Sequence, residues 1–161
     1  MSLPADVVTA LVGRGLRIAT AESLTAGLLA ATLADVPGVS ATLQGGVVAY
    51  QNAVKESLLG VDPGRLARHG AVDAEVAAQM AEGARRALGA DVGVATTGVA
   101  GPEPHQGQPV GTVYLGVAGL PGPAAEELHL DGDRPAIRRA TVQAALQSIL
   151  RRLGAEERSR P

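Results

Sequence analysis

Ser23 is the residue of this sequence best placed to act as a nucleophile. It follows a short apolar run at 17–20 and precedes an alanine- and leucine-rich stretch, which predicts a strand-to-helix turn around it. At such a turn, backbone N–H groups of the first helical turn can stabilise an oxyanion formed beside the serine. The alternative is a serine that only caps the helix, and the local sequence leaves both interpretations open.

Lys55 is the candidate proton acceptor for that serine. With Asn52 as the predicted N-cap of a helix ending at Gly60, Lys55 falls in the first helical turn, where the macrodipole disfavours a cation. This position is expected to lower the pKa of its amine, and a neutral lysine can take a proton from a hydroxyl. The alternative is a surface lysine paired with Glu56 or another carboxylate.

A glycine-containing segment, Thr96 to Pro102, follows a predicted strand and is a candidate ligand-binding loop. Loops at the carboxyl ends of parallel strands commonly line ligand crevices, and the glycines allow close approach of the backbone. The segment has neither the GxxxxGK[ST] nor the GxGxxG spacing of nucleotide-binding loops. The alternative is an ordinary tight turn.

Three arginines, Arg134, Arg138 and Arg139, cluster at the start of the last predicted helix. Free N–H groups of a first helical turn and guanidinium forks both bind phosphate, and Arg134 is the residue assigned to that role. The alternative is a solvated charged face balanced by Asp131 and Asp133.

The elements that must position these residues follow from hydrophobic periodicity and from turn residues. The strands are predicted at 17–20, 43–50, 92–97, 110–118 and 126–130, and the helices at 25–35, 52–59, after Asp73 and after Asp133. The Gly45-Gly46 pair predicts a bulge or a close backbone approach within the second strand. This order predicts a single three-layer α/β/α domain over residues 1–161 with a mixed, partly parallel sheet, and residues 154–161 are expected to form a frayed tail.

The composition excludes several classes of function. Hydrophobic residues make up 46% of the 161 residues, enough for one substantial core, and no apolar run approaches the length of a membrane helix. Cysteine is absent and the three histidines are far apart, so no metal or redox cofactor is expected. The formal charge of −2 and the lack of Phe and Trp argue against nucleic acid as a partner and for a small molecule. We expect a cytoplasmic protein with no membrane contact.

Six segments together resemble the CinA carboxy-terminal domain family, in the family's order along nearly the whole chain. They are Thr20-Ala21-Glu22-Ser23-Leu24-Thr25-Ala26-Gly27, Val36-Pro37-Gly38, Gly45-Gly46 with Tyr50-Gln51-Asn52-Ala53-Val54-Lys55, Thr97-Gly98-Val99-Ala100-Gly101-Pro102, Pro109-Val110-Gly111-Thr112-Val113 and Gly132-Asp133-Arg134. The family includes stand-alone nicotinamide mononucleotide deamidases. Some of its chains carry an additional amino-terminal nucleotide-processing domain, which we expect to be missing here.

The resemblance implies an amidohydrolase of pyridine nucleotide salvage that converts nicotinamide mononucleotide to nicotinate mononucleotide and ammonia. It implies Ser23 as nucleophile, Lys55 as base and Tyr50 as a residue that orients Lys55 or contacts the ring. The implied substrate-binding residues are Thr25, Gly46, Thr97, Gly98, Gly101 and Arg134. The resemblance also suggests a homo-oligomer. The alternative function is a catalytically silent nucleotide-binding or partner-binding module related to competence or damage.

Two segments depart from the family's usual pattern. Ala26 stands where glycine is usual, and its methyl group is expected to narrow the pocket; Leu24 occupies a position more often taken by Cys or Met. The segment 103–108 is poorer in glycine than the family's loop, and its His105 is expected either to touch substrate or to face solvent.

Overall fold

A computed structural model of the protein describes residues 1–158, with side chains up to residue 155. Its elements, in chain order, are α1 (Leu3–Gly13), β1 (Ile18–Glu22), α2 (Leu28–Ala34), a 3₁₀ turn (Val39–Ala41), β2 (Leu43–Val48), α3 (Asn52–Leu59), α4 (Pro63–His69), α5 (Ala74–Ala87), β3 (Val92–Gly98), β4 (Thr112–Ala118), β5 (Ala125–His129) and α6 (Arg134–Arg158). In this described part of the chain, no helix has the length and apolar character required to span a membrane.

The sheet has the strand order β2-β1-β3-β4-β5. β1 pairs in parallel with both β2 and β3, whereas the pairs β3–β4 and β4–β5 are antiparallel. The three parallel strands therefore end at one edge of the sheet, and the chain leaves each of them there into a loop. The predicted mixed, partly parallel sheet is confirmed.

Helices cover both faces of the sheet, and each face has its own apolar core. On one face, α1, α2 and α6 pack on the larger strand residues, including Ile18, Val94 and Leu115. On the other face, α3, α4 and α5 pack on small strand residues such as Ala19 and Ala95. Because side chains along a strand alternate between the two faces of the sheet, the same strands contribute residues to both cores. The predicted three-layer α/β/α architecture is confirmed.

Helix α5 packs with its backbone against the sheet because strand glycines face it. A methyl group added at Gly93 would overlap the carbonyl oxygen of Ala81, and one added at Gly116 would overlap that of Ala77. These glycines do not need special dihedral angles; they leave the room that the helix backbone occupies. The sequence contains no Phe or Trp, which suits this close packing.

The predicted strands and helices differ from the structure mainly at their ends. Helix α2 begins at Leu28 rather than at Thr25, because Ala26 and Gly27 have φ angles of 49° and 95° and form a turn. Helices α1 and α4 were not predicted. Helix α6 continues through Gly154 to Arg158, past the predicted start of the tail, and residues 159–161 lie outside the described residues.

Candidate active site

The candidate residues collect where the three parallel strands end. Ser23 directly follows β1, Tyr50 follows β2, and Thr97 and Gly98 form the end of β3. These strands are neighbours in the order β2-β1-β3, so their carboxyl ends meet at one edge of the sheet. This edge is the usual ligand-binding position in open α/β sheets.

Lys55 and Ser23 are in direct contact at this edge. The Lys55 Nζ lies 3.1 Å from the Ser23 Oγ, and it also donates hydrogen bonds to the carbonyl oxygens of Ala49 (2.8 Å) and Tyr50 (3.2 Å). Only 1% of Lys55 is exposed. Burial lowers the pKa of its amine from 10.5 to about 8, because a buried ammonium loses its hydration. Lys55 is also the only lysine in the sequence.

Burial is the cause of this lowered pKa, whereas the sequence predicted that the helix macrodipole would lower it. Gln51, not Asn52, is the N-cap residue of α3, and the backbone N–H of Lys55 already bonds the Gln51 carbonyl at 3.2 Å. Lys55 therefore lies one residue deeper in the helix than predicted. The lower pKa comes from burial of the side chain, and the contribution expected from the helix macrodipole stays a prediction.

The contacts of Lys55 fit both the ammonium, which donates to all three oxygens, and the neutral amine that acts as a base. A neutral lysine has two N–H donors and one lone pair, whereas an ammonium has three donors and no acceptor. When the two N–H groups bond the Ala49 and Tyr50 carbonyls, the lone pair is left for the hydroxyl proton of Ser23. The two carbonyls thus orient the amine toward the serine.

The first turn of α2 does not provide the oxyanion site that the sequence predicted. The first free N–H groups of α2, those of Leu29 and Ala30, donate to the Glu22 carboxylate at 2.7 and 3.0 Å. The backbone N–H of Ser23 donates to the Thr96 carbonyl at 2.9 Å. The amides at the helix start are therefore already satisfied within the protein and are not available to a substrate.

A cleft of about 830 Å³ opens above the serine–lysine pair. Its size lies within the range of small-molecule sites. One side is formed by the segment 97–106 and the other by Tyr50 and the start of α3. The lining residues are Ser23, Leu24, Tyr50, Gln51, Asn52, Ala53, Lys55, Ala71, Val72, Thr97, Gly98, Val99, Ala100, Gly101, Pro102, Glu103, Pro104, His105, Gln106 and Arg134.

Of the arginine cluster, Arg134 is the member that lines the cleft. Its guanidinium donates to the Gly101 carbonyl at 2.7 Å and to the Tyr50 hydroxyl at 2.8 Å. A guanidinium has five N–H donors, so donors remain for an anion in the cleft. Arg138 instead donates to the Leu24 and Thr25 carbonyls at 2.9 and 3.0 Å and so holds the serine loop.

Two predicted substrate-binding residues, Thr25 and Gly46, do not line the cleft. Thr25 is fully buried, and its hydroxyl contacts the Glu22 carboxylate and the Thr96 hydroxyl, each at 2.7 Å. Gly46 lies within β2, where an added methyl group would overlap the Thr20 hydroxyl oxygen. The predicted close approach at Gly46 is therefore to a neighbouring strand and not to a ligand.

The loop 103–108 is held over the cleft by contacts that the sequence did not reveal. The Gln106 side chain accepts a hydrogen bond from the Ala71 N–H at 3.0 Å, and the Thr97 hydroxyl donates to the Ala71 carbonyl at 2.8 Å. His105 lines the cleft, whereas the exposed Ala26, at the departure from the family's usual glycine, does not. The expected narrowing of the pocket at Ala26 is not seen.

The site contains no evident metal-binding group. Among the described residues, no three His, Asp or Glu side chains lie close enough together to hold a metal ion. The chemistry available to this arrangement is proton transfer between Ser23 and Lys55, together with binding of an anionic ligand by Arg134.

The fold and cleft define the class of three-layer α/β domains with a ligand site at the carboxyl edge of the parallel strands. Within that class the chain belongs to the CinA C-terminal domain family, whose model matches residues 1–153. A CinA-like protein of Frankia casuarinae is 51% identical over 152 residues, which are 94% of this chain and 35% of that protein. The chain thus spans about a third of the length of the curated relatives it matches.

Solved structures of the same superfamily share the fold. A competence-damaged protein (CinA) superfamily protein of Klebsiella pneumoniae is 33% identical, with a TM-score of 0.90 and coverage of 95% of this chain and 96% of that one. The competence/damage inducible protein CihA of Agrobacterium tumefaciens is 38% identical, with a TM-score of 0.88 and coverage of 94% and 93%. The predicted family membership is confirmed.

Proposed function

We propose that this protein is an amidohydrolase that removes ammonia from the carboxamide of nicotinamide mononucleotide. The observation that carries the proposal is the contact of 3.1 Å between a serine hydroxyl and a buried lysine amine with a pKa of about 8. An amine of this kind is a usable base near neutral pH, whereas a solvated lysine is not. The carboxamide and the nucleotide come from the family resemblance and from the fit of the cleft.

In the proposed acylation step, neutral Lys55 accepts the Ser23 proton while the serine oxygen attacks the carboxamide carbon. The C–O bond forms, and the carbonyl electron pair moves onto its oxygen. When the tetrahedral intermediate collapses, the C–N bond breaks and protonated Lys55 gives its proton to the departing nitrogen, which leaves as ammonia. The product of this step is an ester between Ser23 and the nicotinoyl group.

Deacylation reverses the roles with water as the nucleophile. Lys55 takes a proton from water, the new C–O bond forms, and the ester bond to Ser23 breaks. Lys55 then returns the proton to the serine oxygen, and nicotinate mononucleotide is released. The same lysine acts first as base and then as acid in both halves of the reaction.

Stabilisation of the intermediate requires an N–H donor next to Ser23. Since the Ser23 amide and the α2 amides are already bonded, the donor that we assign is the backbone N–H of Leu24. Leu24 lines the cleft, and its N–H makes no hydrogen bond within residues 1–158. Removing one such donor in a serine hydrolase typically costs about 100- to 1,000-fold in kcat.

The cleft suits a phosphorylated ligand with an aromatic ring. Arg134 offers guanidinium donors to a phosphate, and its contact with the Tyr50 hydroxyl places a half-exposed aromatic ring on the same side of the cleft. The Thr97 hydroxyl proton is directed to the Ala71 carbonyl, so its oxygen is left as an acceptor. A carboxamide N–H is a suitable donor to that oxygen.

The test is ammonia release from nicotinamide mononucleotide by the purified protein and by the Ser23→Ala and Lys55→Met variants. Activity in the wild type and its loss in both variants, with folding retained, is the expected result. Ser40→Ala, a change in the 3₁₀ turn away from the cleft, is the matched control and is expected to keep full activity. A wild type that binds the nucleotide without releasing ammonia would instead favour a silent binding module.

A further inference from the structure

Glu22, the residue before the candidate nucleophile, has a fully buried carboxylate with an unusual number of donors. Only 1% of the residue is exposed. Its Oε1 accepts from the Thr25 hydroxyl and the Leu29 N–H, both at 2.7 Å. Its Oε2 accepts from the Ala30 N–H at 3.0 Å and from the Thr20 hydroxyl at 3.3 Å. Two donors per oxygen fit an ionised carboxylate, which has only acceptors.

The carboxylate fixes the direction of a chain of hydroxyl groups. Because Thr25 gives its one proton to Glu22, the Thr96 hydroxyl must donate to Thr25, at 2.7 Å. The Thr96 carbonyl in turn accepts the Ser23 N–H at 2.9 Å. The position of the Ser23 backbone is therefore tied to Glu22 both along the chain and through two threonines.

The main chain of Glu22 is also connected to the lysine. Its carbonyl accepts the Ala49 N–H at 2.9 Å, and the Ala49 carbonyl accepts the Lys55 amine at 2.8 Å. Glu22 thus bonds both the segment that carries Ser23 and the segment that holds Lys55, although Glu22 does not line the cleft.

We propose that Glu22 is a positioning residue: its buried carboxylate, through Thr25, Thr96 and the first amides of α2, holds Ser23 at the distance and orientation that reaction with Lys55 requires. The inference rests on the nucleophilic role of Ser23 proposed above. It does not depend on which amide is the substrate.

The isosteric change Glu22→Gln tests the proposal directly. Glutamine keeps one acceptor oxygen, but its NH₂ group, on either side, faces a backbone N–H of α2, that of Leu29 or Ala30, which can only donate. At least one contact therefore turns from attractive to repulsive. A misplacement of about 1 Å at a reacting atom can cost about 100-fold in rate. We expect Ser23 in Glu22→Gln to react at least about tenfold more slowly, with the KM for substrate unchanged.

A second pair of variants tests the same proposal without changing Glu22. Thr25→Val removes the hydroxyl that links Glu22 to Thr96 while keeping the shape of the side chain, and Thr25→Ser keeps the hydroxyl. We expect Thr25→Val to react as slowly as Glu22→Gln and Thr25→Ser to retain close to the wild-type rate. This rescue distinguishes positioning through the hydroxyl from a general effect on packing.

The measurement is the rate at which a fluorophosphonate labels Ser23, followed by intact mass and by peptide mapping. The activated serine oxygen forms a bond to phosphorus and fluoride leaves, so the reaction reports the nucleophile without the proposed substrate. Glu126→Gln is the matched control, because Glu126 also bonds buried groups, Arg152 (2.7 Å) and Ser148, but lies outside the cleft. It is expected to lower stability and leave the labelling rate unchanged.

Each outcome decides between the two proposals. Wild-type labelling of a folded Glu22→Gln, or equal loss in Thr25→Ser and Thr25→Val, would overturn the role of Glu22 even if nicotinamide mononucleotide is hydrolysed. An equal loss of labelling rate in Glu126→Gln would show that the effect comes from lower global stability, and it would also overturn the role of Glu22. Ser23 labelling that depends on Glu22, without ammonia release from the nucleotide, would support this inference and reject the proposed substrate. A wild type whose Ser23 does not react would reject both.

Discussion

The pKa of Lys55 leads to a prediction that can be checked on one resonance. Lys55 is the only lysine in the chain, so protein labelled with ¹³C at the lysine Cε or with ¹⁵N at the lysine Nζ gives a single side-chain signal. Burial holds the pKa of this amine at about 8, against an ordinary value of 10.5. We expect the signal to titrate with a midpoint near pH 8.

The size of the effect on catalysis follows from the same shift. At pH 7 an amine with a pKa of 8 is about 9% neutral, whereas one with a pKa of 10.5 is about 0.03% neutral, a difference of about 300-fold in available base. The rate of ammonia release is therefore expected to rise roughly tenfold per pH unit below pH 7 and to level off above about pH 9. A kcat/KM profile measured from about pH 6 to about pH 10 checks this slope and plateau.

The shift has a consequence for stability with a definite sign. The folded state gives up the Lys55 proton at about pH 8, whereas the unfolded chain keeps it to about pH 10.5. Between these values the unfolded state binds more protons, so the free energy of unfolding rises with pH, by about 3 kcal/mol across the window. Below pH 8 that contribution is absent, because both states hold the ammonium. Chemical denaturation of the wild type beside Lys55→Met checks it, since the variant lacks this rise.

Two results would refute the reasoning. A resonance that titrates near pH 10.5 would show that the Lys55 amine is hydrated in solution, and the proposed base would lose its activation. A resonance with a midpoint near pH 8, combined with an activity that is independent of pH from about 6 to 9, would show that Lys55 is buried but does not carry the proton in the rate-limiting step.

Three further predictions concern residues around the pair. Gly46→Ala is expected to destabilise the protein by about 1–3 kcal/mol, because its methyl group overlaps the Thr20 hydroxyl oxygen. Thr20→Ala in the same chain is expected to restore part of this loss, which a double-mutant cycle of denaturation curves measures. Ala26→Gly is expected to raise the melting temperature, since Ala26 has a φ of 49°, a conformation that costs a non-glycine residue about 1–2 kcal/mol; an unchanged or lower value would contradict this. Tyr50→Phe removes the acceptor of a 2.8 Å bond from Arg134, so steady-state kinetics should show a raised KM with a smaller change in kcat.

The fold could be predicted from the sequence because its strands are short apolar runs separated by glycine, proline and aspartate. Asp73 is an example: its side chain accepts the Val76 N–H at 3.1 Å and begins α5, as its position before an apolar-periodic stretch indicates. Helix α4 was missed although it has the usual start of a helix, with Asp62 as N-cap and Pro63 in the first position. Its seven residues are too few to show a clear 3.6-residue period.

Some residues of the candidate site were predicted correctly from the sequence and others were not. The sequence indicated Ser23, Lys55 and Arg134 by residue type and local position, and the structure brings all three to one cleft. It could not indicate that Thr25 bonds within the protein or that Gly46 accommodates Thr20, because both contacts depend on how neighbouring strands align.

Glu22 was the largest omission, although a signal for it was present. A carboxylate at the end of an otherwise apolar strand must either face solvent or meet several donors, because an unpaired buried charge is costly. Burial of every residue of β1 excludes the first possibility. What the sequence did not contain was the identity of the donors, since two of them are backbone amides of α2, and any residue type supplies those.

The two members of the reactive pair, Ser23 and Lys55, are held by different strands. Activity therefore depends on the pairing of the outer strand β2 with β1. Ser23 follows β1, which has neighbours on both sides, whereas the carbonyls that hold Lys55 follow β2, which within residues 1–158 pairs with β1 alone. Margins of sheets open locally at a lower free energy than the whole domain unfolds. If β2 detaches from β1, the serine and the lysine separate while most of the core stays intact. Inactivation by heat or mild denaturant should therefore precede loss of secondary structure. Amide exchange in β2 should increase under the same conditions in which activity is lost.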